Sequence, residues 1–127
     1  MALKSEAQLE KLSAELKKNK SLRDDAAKHL DSKVTFQVHD KKGETVLWCL
    51  NAKKGEEVTL EKLKDTDDPE ADIKVRIDDI NLRKLIRGKQ SAQRLFMTGK
   101  LKIKGNVMKA AYIEKLLKFA APESSKL

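Results

Sequence analysis

Two runs of apolar residues at helical spacing occupy the first 30 positions of the chain. The first run has leucines three and four positions apart, separated by lysines and glutamates: Leu9, Leu12 and Leu16. The second run repeats at every fourth position: Leu22, Ala26 and Leu30. This spacing predicts an amphipathic helix over residues 5–18. Ser21 followed by Asp24 is a helix-capping pattern, so a second, shorter helix is predicted to end near Leu30.

From residue 33 the apolar period changes to two, which is typical of strands. Four segments show this alternation: 33–39, 45–51, 57–61 and 72–78. An Asp-Lys-Lys-Gly turn joins the first two segments and predicts a β-hairpin. In the fourth segment Ile73, Val75 and Ile77 point to one face while charged side chains point to the other. The sheet is therefore expected to have one apolar face and one polar face.

Three further helical segments and one strand complete the pattern. Asp78 or Asp79 can cap a helix that ends at Gly88. Three segments follow it: a short helix at 91–99, an alternating strand at 100–104 and an unusually apolar helix at 107–121. Because the helices are the only segments that can cover the apolar sheet face, the pattern predicts a two-layer α+β fold.

The chain has the length and composition of one domain, with 127 residues of which 39% are hydrophobic and 38% charged. We assign residues 1–121 to this domain and residues 122–127 to a polar tail. The longest apolar run, at 46–50, is too short to span a membrane and no secretory leader is evident, so a soluble intracellular protein is expected. Cys49 is the sole cysteine, which excludes an internal disulfide and a cysteine-clustered zinc site; we expect it to be a small buried hydrophobe.

The formal charge of +8 suits an anionic partner, but the sequence lacks the features of nucleic-acid recognition. Only five aromatic residues are present, and they lie within apolar patterns rather than beside lysines. No helix-turn-helix, zinc or ribonucleoprotein motif occurs. Nucleic acid is therefore not predicted as a partner.

Catalytic and metal-binding patterns are also missing from the sequence. His29 belongs to a charged helical stretch and His39 to the polar face of a strand, without a nucleophile motif or a histidine pair. The acidic residues at 65–70 lack the glycine and the distant glutamate of a calcium-binding loop. We therefore predict a protein without catalytic activity, bound metal or cofactor.

Ser125, Lys126 and Leu127 form a Ser-Lys-Leu tripeptide at the C-terminus, the position in which a peroxisomal import receptor binds it. Pro122 is expected to end the last helix and to leave the tail accessible. The alternative is that the tripeptide occurs there by chance, on the order of one in a few thousand. The tail predicts import into the peroxisomal matrix, with a cytosolic pool before import.

Two features suggest that the apolar interior holds more than its own side chains. The helix at 107–121 has too many apolar residues for one buried stripe. Met97 and Met108 are deformable side chains that would suit variable guests. A tightly filled core explains the same pattern, so these residues alone leave both interpretations open.

Parts of the chain resemble the sterol carrier protein-2 family, also called non-specific lipid-transfer proteins of peroxisomes. The similarity is carried by three stretches: ADI at 71–73, GK at 88–89 and above all AQRLFMTGKLKIKGNVMKAA at 92–111. The strand around Trp48 and the turn at 53–55 match more loosely. The chain departs from the family at 56–57, where two glutamates replace a frequent glycine, and at 80–82, which lacks a usual aromatic.

The resemblance implies a five-stranded, mostly antiparallel sheet in the order 3-2-1-4-5, with helices over one face and a hydrophobic tunnel between the layers. It also implies a carrier of long-chain fatty acids, fatty acyl-CoA, sterols or phospholipids that serves peroxisomal β-oxidation. The family also occurs as a domain of multifunctional β-oxidation enzymes. An alternative function is therefore a chaperone-like or substrate-presenting module of such enzymes, including a domain excised from one.

We expect the tunnel lining to combine apolar residues of the sheet face with residues of the helices above it: Phe36, Val46, Trp48, Ile73, Val75, Leu85, Phe96, Met97, Leu101, Ile103, Met108, Tyr112 and Leu116. Each of these residues also fits an ordinary core position. Lys100, Lys102 and Lys104 suit either CoA phosphates or an anionic membrane surface; a solvated sheet face is the alternative. The other predicted partners are β-oxidation enzymes and the import receptor, and a monomer is expected.

Overall fold

The computed structural model describes residues 4–64 and 70–120. Its elements follow in the order α1 (Glu6–Lys18), α2 (Lys20–His29), β1 (Ser32–His39), β2 (Thr45–Ala52), β3 (Thr59–Leu63), β4 (Ile73–Asp78), α3 (Asp79–Ile86), α4 (Ala92–Met97), β5 (Leu101–Lys104) and α5 (Ala110–Leu117). Short 3-10 turns at Val107–Lys109 and Lys118–Ala120 flank α5. This arrangement confirms the predicted α+β class.

The five strands form one sheet in the order β3-β2-β1-β4-β5, as the family resemblance implied. The central strand β1 pairs with β2 antiparallel and with β4 parallel. The outer pairs, β2 with β3 and β4 with β5, are antiparallel, so the sheet is mostly antiparallel as expected. In this register Phe36 lies opposite both Trp48 and Val75 on the apolar face.

Helices cover one face of the sheet and leave the other open. On β4 the buried side chains of Ile73, Val75 and Ile77 alternate with the exposed Lys74 and Arg76, which confirms the predicted two-faced strand. The helices add further buried side chains to the same core: Leu9, Leu12, Leu16, Leu22, Leu82, Leu85, Ile86, Leu95, Ile113, Leu116 and Leu117. Each large apolar side chain buried in this way contributes about 1.5–3 kcal/mol.

Asn19, rather than the predicted Ser21, caps the N-terminus of α2. Asn19 has an extended backbone, and its side-chain oxygen accepts a hydrogen bond from the N–H of Leu22 at 3.1 Å. The predicted capping pair of Ser21 and Asp24 is wrong because both residues lie inside α2. Asparagine is as favourable a cap as serine, and Asn19 occupies the junction where the chain leaves α1.

Two consecutive aspartates join α3 to the rest of the fold. Asp78 caps α3 by accepting a hydrogen bond from the N–H of Asn81 at 3.0 Å. The buried Asp79 accepts from the N–H of Ser5 at 2.9 Å and from Nε of Arg83 at 3.1 Å. The Asp79 carboxylate is therefore satisfied, and it ties the beginning of α1 to α3.

The third strand and the last helix differ from their predicted ranges. The third strand begins at Thr59 rather than at residue 57 because Thr59 is the residue that pairs with Asn51. The last helix is α-helical only from Ala110 to Leu117. Its preceding 3-10 turn is capped by Asn106, whose side chain accepts from the N–H of Met108 at 3.0 Å. Such turns are common at helix ends.

Cys49 is only partly buried, contrary to the expectation of a core position. Its neighbours on β2, Trp48 and Leu50, point into the core, so Cys49 points to the open face of the sheet. Its partial burial still raises the pKa of the thiol. A thiol with a raised pKa is less often ionised and therefore less reactive.

Across residues 4–64 and 70–120, none of the helices combines the length and apolar character needed to cross a membrane. Most of the acidic segment discussed above, at 65–69, lies outside the described residues. The tail also lies outside them, including Ser125, Lys126 and Leu127. The domain boundary at residue 121 and the targeting role of the tail therefore stay predictions.

Candidate functional site

A cavity lies between the apolar face of the sheet and the helices α3, α4 and α5. Eleven apolar side chains and one carboxylate line it: Phe36, Val75, Ile77, Leu82, Leu85, Ala92, Leu101, Ile103, Ala110, Ile113, Glu114 and Leu117. The space for the centre of a water-sized sphere is about 10 Å³, which is room for about one water molecule. In this conformation the cavity is apolar but too small for a long hydrocarbon chain.

Two periodicities direct the lining side chains into the cavity. On the paired strands β4 and β5, Val75 lies opposite Ile103 and Ile77 lies opposite Leu101, so all four point to the helical side of the sheet. On α5 the lining residues are three and four positions apart: Ala110, Ile113, Glu114 and Leu117. This spacing places them on one stripe of the helix. The sheet thus forms the floor of the cavity and α5 forms its roof.

Glu114 supplies the only charge among the lining residues that the structure describes. Its Oε1 accepts a hydrogen bond from the backbone N–H of Ala92 at 2.8 Å, at the first residue of α4. Ser91 caps the same helix, because its Oγ accepts from the N–H of Arg94 at 3.2 Å. Glu114 therefore closes the rim between α4 and α5 with a charge-assisted hydrogen bond.

The other side of α5 is anchored to α2. The hydroxyl group of Tyr112 donates a hydrogen bond to Oδ2 of Asp25 at 2.8 Å. The Tyr112 ring stacks on His29, with ring centroids 4.8 Å apart. Immediately before α5, Lys109 donates from Nζ to the carbonyl oxygen of Leu30 at the end of α2. This side of α5 is thus held by the phenol of Tyr112, the imidazole of His29 and the ammonium group of Lys109.

The contact between α2 and α5 shifts the acidity of both Tyr112 and Asp25. Burial, followed by the hydrogen bond and the negative charge of Asp25, raises the pKa of Tyr112 above its ordinary value. The hydrogen bond from Tyr112 lowers the pKa of Asp25; desolvation opposes this shift and the nearby His29 supports it. At neutral pH the contact therefore joins a neutral phenol donor to an ionised carboxylate acceptor.

The structure places the residues predicted to line a tunnel in four different surroundings. Five of them line the cavity: Phe36, Val75, Leu85, Leu101 and Ile103. Four are buried in the core but do not belong to the lining: Val46, Trp48, Ile73 and Leu116. Tyr112 is half-buried against α2. Three lie at the surface, with exposed fractions of 45% for Phe96, 76% for Met97 and 84% for Met108.

Seven lining residues were not named from the sequence: Ile77, Leu82, Ala92, Ala110, Ile113, Glu114 and Leu117. Ile77 continues the alternation of Ile73 and Val75, so its position on the apolar face was available in the pattern. Ile113 and Leu117 are four positions apart on an apolar helix, which is also a usable signal. No sequence pattern indicated Glu114, because a search for apolar positions excludes charged residues.

The lysines of β5 lie away from the cavity. Lys102 and Lys104 are exposed on the open face of the sheet, where Lys102 is opposite Arg76 and Lys104 is opposite Lys74. Cations directly opposite each other on one sheet face repel. The register therefore concentrates positive charge behind the cavity floor rather than inside the cavity.

Within the described part of the chain, no group of three or more His, Cys, Asp and Glu side chains is arranged to hold a metal ion. Nε2 of His29 lies 3.2 Å from Oδ1 of Asp25, and its ring stacks on Tyr112. What the cavity offers chemically is apolar burial, with a single carboxylate at its rim.

Known proteins are similar to this chain in sequence and in fold. A family model described as the SCP-2 sterol transfer family matches residues 9–118. A fatty acid-binding protein of Yarrowia lipolytica (strain CLIB 122 / E 150) is 43% identical over 96 residues, which cover 76% of this chain and 73% of that protein. The oleate-induced peroxisomal protein POX18 of Candida maltosa is 36% identical over 104 residues, which cover 82% of this chain and 80% of that protein.

A solved structure agrees with the sequence relatives. The apo form of sterol carrier protein 2 from Yarrowia lipolytica matches this fold with a TM-score of 0.76 and 35% sequence identity, over 94% of this chain and 98% of that chain. The family match at 9–118 includes every residue of the cavity lining. The chain therefore belongs to the SCP-2 sterol transfer family.

Proposed function

We propose that the chain is a non-catalytic carrier that binds long-chain fatty acids and fatty acyl-CoA in the cavity beneath α5. The observation that carries this proposal is the lining, in which eleven of twelve residues are apolar. The names of two relatives support fatty acyl cargo, since one is called a fatty acid-binding protein and the other is induced by oleate. Sterols and phospholipids are candidates for the same apolar space.

The hydrophobic effect is large enough for this function. Burial of about sixteen methylene groups at ~0.8 kcal/mol each gives roughly 13 kcal/mol before costs. Immobilising the lipid costs several kcal/mol, and the remainder corresponds to micromolar or tighter binding. Because apolar burial has little directionality, lipids of similar length should compete for the same space.

Lipid binding requires the cavity to widen, because its present volume admits about one water molecule. The strands of the floor are held by backbone pairing on both sides of β4, to β1 and to β5. Among the described residues, no backbone hydrogen bond ties α5 to the sheet, and side-chain contacts hold it in place. We therefore assign the widening to movement of α4 and α5 rather than to the sheet.

We place the carrier in the peroxisomal matrix, with a cytosolic pool before import through Ser125, Lys126 and Leu127. The tripeptide and the peroxisomal relative support this location. In that compartment the carrier would present fatty acyl groups to β-oxidation enzymes. Anionic membrane surfaces are a second partner suited to the lysines on the open sheet face, and the carrier acts as a monomer.

Titration of delipidated protein with a fluorescent long-chain fatty acid tests the proposal. We expect saturation at one lipid per chain, with micromolar or tighter affinity, and displacement by oleate and by oleoyl-CoA. Cholesterol is the third competitor, and its displacement of the fluorescent fatty acid shows whether the cavity also binds sterols. Absence of saturable binding for all three classes of lipid would overturn the proposed function.

The same titration at low and high salt tests the role of the lysine cluster. Charges held by exposed lysines are screened by salt, whereas apolar burial is not. If oleoyl-CoA binding weakens with salt no more than oleate binding does, the phosphates of CoA do not contact these lysines.

A further inference from the structure

The segment 88–99, which we call the α4 flap, is a small unit at the rim of the cavity. It begins at Gly88 and ends at Gly99, and both glycines have left-handed backbones, with φ of 76° and 77°. Of the six residues of α4, two are buried, Ala92 and Leu95. Glycines at both ends allow backbone rotation, and two buried side chains are a small apolar contact to give up.

The roof helix α5 is held unequally along its two sides. Towards α2 it has the Tyr112–Asp25 hydrogen bond, the stacking of Tyr112 on His29 and the bond from Lys109 to Leu30. In the described residues, one polar contact joins α5 to the α4 flap, the 2.8 Å hydrogen bond from the N–H of Ala92 to Glu114. Separation of the roof along the α4 side therefore breaks fewer of these polar and ring contacts than separation along the α2 side.

We propose that lipid enters and leaves the cavity between α4 and α5, and that Glu114 is the latch that must release Ala92 for each passage. This inference rests on the proposed function, since it presumes a lipid in the cavity. Both latch partners line the cavity, so their separation opens it directly to solvent. Phe96 and Met97 are exposed by 45% and 76%, so the α4 flap also presents apolar side chains at the surface.

The latch is closed when the cavity is empty, and the rim closes again over a bound lipid. Loss of the latch therefore accelerates both uptake and release, while the ratio of the two rates stays nearly constant. A charge-assisted hydrogen bond at a partly exposed site corresponds to about a tenfold change in rate. We expect E114A to raise both rate constants about tenfold and to change Kd by less than about threefold.

Two variants test the same hydrogen bond from each partner. E114Q keeps an acceptor oxygen but loses the negative charge, so its rates should lie between those of the wild type and those of E114A. A92P removes the donor N–H instead, and proline is tolerated at the first position of a helix. The preceding Ser91 already has the extended backbone that proline requires, with φ of −100° and ψ of 150°. A92P should therefore accelerate both rates as E114A does.

Tyr112 supplies the matched control on the opposite side of the roof. Y112F removes the hydrogen bond to Asp25 but keeps the aromatic ring in place. Because we assign passage to the α4 side, Y112F should leave both rates within about threefold of the wild type. Acceleration by Y112F without acceleration by E114A would move the passage to the α2 side and overturn the proposal.

Stopped-flow mixing with cis-parinaric acid measures uptake, and displacement by excess oleate measures release. Unchanged rates in both E114A and A92P would overturn the latch while leaving the proposed function intact. Faster release with unchanged uptake would also overturn it, because Glu114 would then be a contact of the bound lipid. A wild-type protein that does not bind the probe, oleate or oleoyl-CoA would overturn the latch and the proposed function together.

Discussion

Gly105 lies directly against the backbone of Asp72. A Cβ atom at Gly105 would overlap the carbonyl oxygen of Asp72 and would lie 3.1 Å from Cα of Ile73. Gly105 also has a left-handed backbone, with φ of 109°. This close approach joins the end of β5 to the beginning of β4, the two strands that form the cavity floor.

Substitution of Gly105 by alanine should therefore destabilise the protein strongly. The left-handed backbone costs a non-glycine residue about 1–2 kcal/mol, and displacement of the Asp72 backbone adds a similar amount. We expect G105A to lower the free energy of unfolding by about 2–4 kcal/mol, measured by urea denaturation. G43A is the matched control, because Gly43 has φ of 85° but open space around its Cβ position. It should lose only about 1–2 kcal/mol, and equal losses in the two variants would contradict the steric argument.

The single tyrosine makes the contact between α2 and α5 directly measurable. In the folded protein the pKa of Tyr112 should lie above its ordinary value of 10.0. Burial is the first cause, and the hydrogen bond that the Tyr112 hydroxyl group donates to Asp25 is the second. D25N removes the negative charge but not the burial. Its Tyr112 pKa should therefore fall only part of the way towards the ordinary value, as followed by tyrosinate absorbance during alkaline titration.

The raised pKa of Tyr112 also fixes the sign of a pH effect on stability. The folded state keeps the phenol protonated where the unfolded chain has begun to ionise. The stabilisation is therefore complete below pH 10 and is lost as pH rises towards the pKa of the folded state. Urea denaturation of the wild type should show this alkaline loss, and Y112F should lack it. An identical alkaline loss in Y112F would assign the effect to other groups.

Local patterns predicted most of this fold correctly. Leu9, Leu12 and Leu16 are buried as their spacing indicated, and the alternation on β4 appears directly in its burial. The strand order came from the family resemblance, since no local pattern determines which strands become neighbours. Ser21 was predicted as the cap of α2 because serine and asparagine are equally suitable cap residues. In the structure Asn19 is the cap, since its extended backbone lies at the kink between α1 and α2.

The candidate site was less accessible to sequence analysis, because it depends on which helix covers which strand. Trp48 belongs to the correct sheet face, but it lies beside Ser13 and Ala14 of α1, away from the cavity. Met97 ends a helix of six residues that buries only Ala92 and Leu95, so Met97 remains exposed. Which helix covers which strand is a property of the tertiary structure, and it produces no periodic pattern of apolar residues in the sequence.

The C-terminal tripeptide predicts where the protein is found in the cell. The import receptor requires the tripeptide at the very end of the chain, so deletion of Leu127 should leave the protein in the cytosol. Fluorescence microscopy of an N-terminally tagged protein, with a peroxisomal marker, measures the distribution. S124A is the control, because Ser124 precedes the tripeptide, and it should be imported normally. Continued import without Leu127, in cells that lack a full-length copy to carry it, would contradict a targeting role for the tail.

Substitutions at two adjacent alanines of α5 distinguish filling of the cavity from a general effect on the helix. Ala110 lines the cavity, whereas Ala111 is exposed to solvent. A phenylalanine at 110 should occupy the space that lipid requires and lower fatty acid affinity at least about tenfold, at a cost in stability of about 1–3 kcal/mol from overpacking. A111F adds the same side chain outside the cavity, so its affinity should match the wild type. Urea denaturation of both variants establishes that each is folded before the lipid titration. If A110F binds as tightly as A111F, the cargo lies elsewhere, because one apolar space cannot hold both the aromatic ring and an acyl chain.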